Sequence, residues 1–205
     1  MSSCTMSRSI SPEASTSVSD RAQRLFESFH FFAIDDFLSE RERLALADAM
    51  RTAPAKDATV ARSGEEYRVD DALRRTRRVN VAADVERDFV ARLDTIRDAA
   101  ATHFGVTLSE TEKPQFLAYR EGDFFVRHAD RDRAGSNRRA VSIIVFVNDD
   151  YDGGTLSFFG EVDGEQLALN VTPSAGQLIA FRSDAPHEVE AVRASVRFTV
   201  VSWFA

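Results

Sequence analysis

Cysteine is nearly absent from this 205-residue chain, Cys4 being the only one. An internal disulfide is excluded, as is a metal site of paired thiolates, so histidine, aspartate and glutamate must supply the donors for any ion. Long apolar runs are missing too. No stretch approaches the roughly 18 apolar residues of a membrane span, and the N-terminus lacks the apolar core of a secretory signal. These absences predict a cytoplasmic protein with no membrane association. Positive charge is also in short supply: the formal net charge is −7, which argues against a nucleic-acid partner, because phosphate binding needs concentrated cationic surface. Lysine is scarcest of the cations, with only Lys56 and Lys113 among 26, a bias that carries no functional reading.

What the chain does contain is enough apolar material, 43% of its residues, for one domain with a sizeable core. Residues 1–18, rich in Ser and Thr without apolar period, are expected to be a disordered tail, leaving 19–205 as a single domain. A helix is expected at 19–29, followed by a strand in FHFFAIDDFL. Ser39 and Glu42 form a capping-box pair opening a second helix through Met50. Residues 51–78 are polar and aperiodic and read as a long loop or hairpin, a candidate lid. From about Asp84 to Phe104, the stripe Val85, Phe89, Leu93, Ile96, Ala100, Phe104 predicts a helix packed on a sheet.

Every later segment reads as β: QFLAY, FFVRH, RRAVSIIVFVN, GTLSFF, EQLALNV, GQLIAFRS, HEVEAV and SVRFTVVSWF, separated by turn residues. Gly153 and Gly154 are expected to shape a tight turn; no helix follows them, so they do not read as a phosphate cradle. Helices first and then about eight short strands predict an α+β fold, a double-stranded β-helix (jelly roll, cupin-like) backed by N-terminal helices.

Strand periodicity also bears on chemistry. In FFVRHAD, His128 and Asp130 are two apart and share a face, and His187 opens a later strand. Two imidazoles and one carboxylate suit a ferrous ion with open coordination positions, although zinc accepts the same donors. Arg197, ten residues beyond His187, could pair bidentately with the far carboxylate of a dicarboxylic co-substrate.

The ordered set FLAYREGDFFVRHAD, RRAVSIIVFVNDDYDGGTLSFF, VTPSAGQLIAFRSDAPHEVEAV and SVRFTVVSWF resembles the catalytic core of the Fe(II)/2-oxoglutarate-dependent oxygenases, particularly the prolyl 4-hydroxylase-like branch, over about residues 114–205. The resemblance implies that His128, Asp130 and His187 bind Fe(II) and carry catalysis. It implies that Arg197 anchors 2-oxoglutarate, that Tyr119 and Thr199 line the co-substrate pocket, and that Trp203 lines the active site. Dioxygen would be the second co-substrate, with ascorbate a further candidate. Some relatives carry a tyrosine where this chain has Phe146, and Ser142 or Thr199 are the candidates to replace that hydroxyl. Retention of Asp130 favours hydroxylation over halogenation.

The implied activity is hydroxylation of an amino-acid side chain, prolyl-type favoured, in a protein, peptide or peptide-like metabolite. The competing readings are oxidation of a free small molecule in a biosynthetic pathway and a non-catalytic binding module that keeps the fold. His30 and His103 lack a ligand context and read as interface or helix-end histidines. Arg131, Arg133, Arg138 and Arg139 form a local basic run that reads as a solvated loop at the mouth of the barrel.

Overall fold

The computed structural model describes residues 16–60, 69–131 and 138–205. Most of the expected tail, the middle of segment 51–78 and Arg133 lie outside the described residues. The N-terminal part comprises α1 (Thr16–Phe29), β1 (Phe32–Ile34), α2 (Glu40–Thr52), β2 (Ala55–Asp57), β3 (Arg74–Arg75), β4 (Arg77–Val79), α3 (Ala83–Asp94) and α4 (Arg97–Phe104). The remainder is β: β5 (Gln115–Tyr119), β6 (Phe124–His128), β7 (Val141–Phe146), β8 (Asp152–Gly153), β9 (Leu156–Val162), β10 (Glu165–Val171), β11 (Leu178–Arg182), β12 (His187–Val189), β13 (Val192–Ala194) and β14 (Arg197–Phe204).

The strands form two main antiparallel sheets, ordered β1-β11-β7-β14-β5-β4-β2 and β10-β9-β12-β6-β3, with a small β13-β8 pair beside them. Strand alternation divides the larger sheet into two faces. Val141, Ile143 and Val145 of β7, with Phe198, Val200 and Phe204 of β14, join the core shared with α2, α3 and α4. Ile144 and Phe146 of β7, Leu117 and Tyr119 of β5, and Ile179 and Phe181 of β11 face the smaller sheet and meet Phe158 and Leu156 of β9. The jelly roll is this second interface, and the helices cover the first.

The capping box forms as expected: Ser39 Oγ accepts from Glu42 N, and Ser39 N donates to Glu42 Oε2 at 2.8 Å. The expected long helix is instead two, α3 and α4, because Thr95 N and Ile96 N turn back to Arg92 O and Leu93 O, residues three positions earlier, and break the ladder. The apolar stripe survives the break. Phe89, Leu93, Ala100 and Phe104 are buried in the helix-facing core, and truncating a side chain as enclosed as Leu93 costs about 2–5 kcal/mol.

Helix α1 starts at Thr16, inside the segment expected to be tail. It packs on the smaller sheet where Gly160 leaves room: a Cβ there would lie 2.6 Å from Leu25 Cδ1. Ion pairs Arg21–Glu165 and Arg24–Asp163 fasten its exposed side. His30 and His103 find each other, their rings stacked at 4.2 Å, and each Nε2 meets the other's carbonyl at 3.0 and 2.9 Å. Segment 51–78 contributes three short strands: β2 and β4 extend the larger sheet, and β3 pairs with β6 at the edge of the smaller one. Among the described residues no helix is long and apolar enough to cross a membrane.

Candidate metal centre

Strand register brings the two histidines together across 59 positions of sequence. β12 pairs with β6 so that His187 stands directly opposite His128, and Asp130 follows β6 by two residues. One donor atom from each of the three residues lies within 4.8 Å of the others. His128 Nε2 is 3.7 Å from Asp130 Oδ1, and His187 Nε2 is 3.8 Å from Asp130 Oδ2.

The tautomers are fixed from behind. Nδ1 of His128 bonds the Val126 carbonyl at 2.9 Å, and Nδ1 of His187 bonds the Ala185 carbonyl at 3.0 Å. A carbonyl only accepts, so each Nδ1 carries the proton and each Nε2 keeps a lone pair aimed inward. Burial pushes the His128 imidazole down to about 3, and the neighbouring His187 adds to the effect. The ring is therefore neutral, as a metal ligand must be.

For Asp130 burial works in the opposite sense, favouring the protonated acid. The adjacent imidazoles, the Ser142 hydroxyl and the nearby Trp203 indole outweigh it and hold the carboxyl below its ordinary range. Ser142 Oγ donates to Asp130 Oδ2 at 2.7 Å and lies 2.9 Å from Ser183 Oγ. The indole Nε1 makes no hydrogen bond of ordinary geometry among the described residues, yet as an N–H donor near Asp130 it favours the ionised carboxylate. Rings enclose the donors: Phe125 stacks on His128 at 3.6 Å, and Phe181 meets His187 edge-on at 5.0 Å.

Arg197, Thr199, Val201 and Trp203 alternate along β14 and so share its jelly-roll face. Arg197 is 1% exposed, and its Nε has no hydrogen-bond partner. No carboxylate among the described residues lies within 4.0 Å of its guanidinium. Aromatic rings surround it instead, Tyr119 at 5.1 Å, Phe146 at 5.5 Å and Tyr151 at 5.9 Å from Cζ. A buried cation without an anion is costly, and this one fits the carboxylate of a dicarboxylic ligand.

The sequence left Ser142 and Thr199 as alternatives for the hydroxyl that Phe146 lacks. Ser142 is engaged with Asp130, whereas Thr199 is buried directly opposite Phe146 and two residues from Arg197. Of the two hydroxyls, Thr199 is the one beside Arg197 on β14 and Ser142 the one beside Asp130. In the basic run, Arg139 makes a two-pronged ion pair with Glu112, at 2.8 Å through both Nε and Nη2, and lies 3.5 Å over the Trp203 ring. It buttresses the site wall.

Two contributors escaped the sequence reading. Phe125 gives no signal beyond an ordinary strand aromatic. Arg74 sits in the polar segment read as loop; it is 8% exposed, with its guanidinium 4.7 Å over the Phe125 ring. Burial depresses its pKa, an effect that nearby Tyr119 and Asp130 oppose.

Comparison with known proteins agrees with this geometry. Residues 114–205 match the model of the 2OG-Fe(II) oxygenase superfamily. Mouse prolyl 3-hydroxylase 2 is 37% identical over 68 residues, 32% of this chain and 10% of that protein. A PKHD-type hydroxylase of Maricaulis maris is 30% identical over 135 residues, 60% of this chain and 59% of its own length. The chain thus matches about a tenth of one curated relative and under two thirds of the other. The crystal structure of a Pseudomonas putida prolyl-4-hydroxylase superposes with a TM-score of 0.66 at 26% identity, covering 91% of this chain and 97% of that one.

Proposed function

We propose that this chain, whose residues 114–205 match the 2OG-Fe(II) oxygenase superfamily and whose fold resembles a prolyl-4-hydroxylase, is a 2-oxoglutarate-dependent hydroxylase of an amino-acid side chain, prolyl-type, in a protein or peptide. The observation that carries this reading is the pairing of His128 with His187 across one ladder, closed by Asp130, in a fold that also buries the unpaired Arg197. The donor set fits Fe(II), and the unpaired guanidinium of Arg197 fits 2-oxoglutarate.

His128 and His187 present Nε2 because their Nδ1 protons are held by backbone carbonyls. Asp130 presents its carboxylate because Ser142 fixes it. When bound, the ferrous ion, with 2-oxoglutarate and dioxygen, would supply oxidative decarboxylation to succinate and carbon dioxide and place one oxygen atom on a substrate C–H bond. Arg197 orients the co-substrate by a bidentate grip on its distal carboxylate, and Thr199 offers a hydroxyl to the same group. Tyr119 and Phe146 wall the guanidinium, while Phe125, Phe158 and Phe181 pack against the histidine rings.

The test is turnover of purified protein with Fe(II) and 2-oxoglutarate against prolyl peptides, free proline and other amino acids, reading succinate together with a mass gain of one oxygen. Succinate formation that His128→Ala and Asp130→Ala abolish is expected. Undiminished turnover in those variants would sink the assignment. Preference for free amino acids over every peptide would move the substrate class to small molecules.

A further inference from the structure

The glycine pair before β9 does more than turn the chain. Gly153 (φ +73°) is fixed by backbone: a Cβ there would fall 2.5 Å from Ala191 O and 2.8 Å from Arg193 N. Gly154 (φ +61°) faces side chains instead. Its Cβ would lie 2.9 Å from Arg197 Cδ, 3.0 Å from Val192 Cγ2 and 3.6 Å from Tyr151 Cε2. The first contact is half an ångström inside ordinary van der Waals distance, and it falls on the side chain that carries the unpaired buried guanidinium.

We propose that Gly154 is a positioning residue for the co-substrate: its missing side chain sets how far Arg197 withdraws, and hence the length of dicarboxylate the pocket accepts. The inference rests on the reading of Arg197 as the carboxylate anchor. Escape routes for a displaced Cδ are few. Arg197 and Val192 are each 1% exposed, and the rings of Tyr119, Phe146 and Tyr151 flank the guanidinium. In so close-packed a place a shift at Cδ passes to the guanidinium instead of dissipating in solvent. The metal ligands lie elsewhere, His128 on β6, Asp130 two residues past its end and His187 on β12, so their donor geometry is independent of this contact.

The experiment titrates the Mn(II)-loaded protein calorimetrically with oxalate, which chelates metal but has no distal carboxylate to reach Arg197, with 2-oxoglutarate, and with 2-oxoadipate, one methylene longer. Gly154→Ala is compared with wild type and with Gly105→Ala, which has nearly the same backbone angle (φ +64°) and nothing within 4 Å of its added methyl. Gly154→Ala is expected to weaken 2-oxoglutarate binding at least tenfold and to change the 2-oxoglutarate to 2-oxoadipate ratio, with Mn(II) and oxalate affinities within twofold of wild type. Gly105→Ala should match wild type throughout. If Gly154→Ala does not fold, Gly154→Ala with Val192→Ala, which removes the second close neighbour, carries the same comparison. Binding of 2-oxoglutarate within twofold of wild type would overturn the proposal, as would equal loss of oxalate and 2-oxoglutarate. A wild-type protein that takes Mn(II) but not 2-oxoglutarate would refute the co-substrate reading of Arg197 itself.

Discussion

Replacing Ser142 by alanine isolates what the surroundings of the ligands contribute to the metal site. The hydroxyl is 1% exposed and donates to Asp130 at 2.7 Å, and alanine removes that donor while leaving the backbone of β7 intact. A hydrogen bond to a charged acceptor is worth about 1.5–3 kcal/mol. With about 1.4 kcal/mol per factor of ten, that is roughly a tenfold to hundredfold rise in Kd for Mn(II), the range typical of groups that orient a ligand. Ser202→Ala is the matched control: an equally buried hydroxyl on β14, donating to the Glu112 carbonyl at 2.7 Å, on the face turned toward the helices. Free Mn(II), followed by electron paramagnetic resonance during titration, gives Kd for all three proteins. Unchanged affinity in Ser142→Ala, or the same loss in Ser202→Ala, would refute the reasoning that Asp130 is held for metal by its hydrogen bond.

The metal-free protein should lose stability as pH falls below about 6.5. His128 titrates near 3 when folded and near 6.5 when unfolded, so over that window the unfolded chain binds the extra proton and stability rises with pH; the penalty is absent above 6.5. The lowered Asp130 pKa acts in the same direction at the acid end, its contribution being lost as pH falls below the unfolded carboxylate range. The slope is up to about 1.4 kcal/mol per pH unit from the histidine, and urea midpoints that stay flat between pH 6.5 and 4.5 would contradict it. Ser39→Ala should cost about 1 kcal/mol by removing a cap and leave Mn(II) affinity untouched; denaturation and metal titration of one preparation check both halves.

The jelly-roll strands were legible because their apolar residues alternate, and alternation states which residues share a face. Arg197 and Thr199, two apart on β14, are on one face in the sequence and in the structure. The histidine pair was legible as composition but not as contact, since nothing in the chain states that β12 lies beside β6. Other features carried no usable signal. The break at Thr95 leaves the three-and-four spacing of apolar residues undisturbed, so periodicity runs through it. Strands β2, β3 and β4 are two or three residues long and largely polar, held by ladder bonds to neighbours distant in sequence. The burial of Arg74 follows from that docking and not from its own surroundings in the chain.

The direct opposition of His128 and His187 on neighbouring strands also has a mechanical consequence. Any ion they share is a detachable rivet through the middle of the smaller sheet, closing a loop of roughly sixty residues that the unfolded chain must leave open. The fastening spans the β6–β12 ladder, so exchange of those backbone amides with solvent should slow when the ion is seated, and the ion's departure should be paced by the breathing of that ladder.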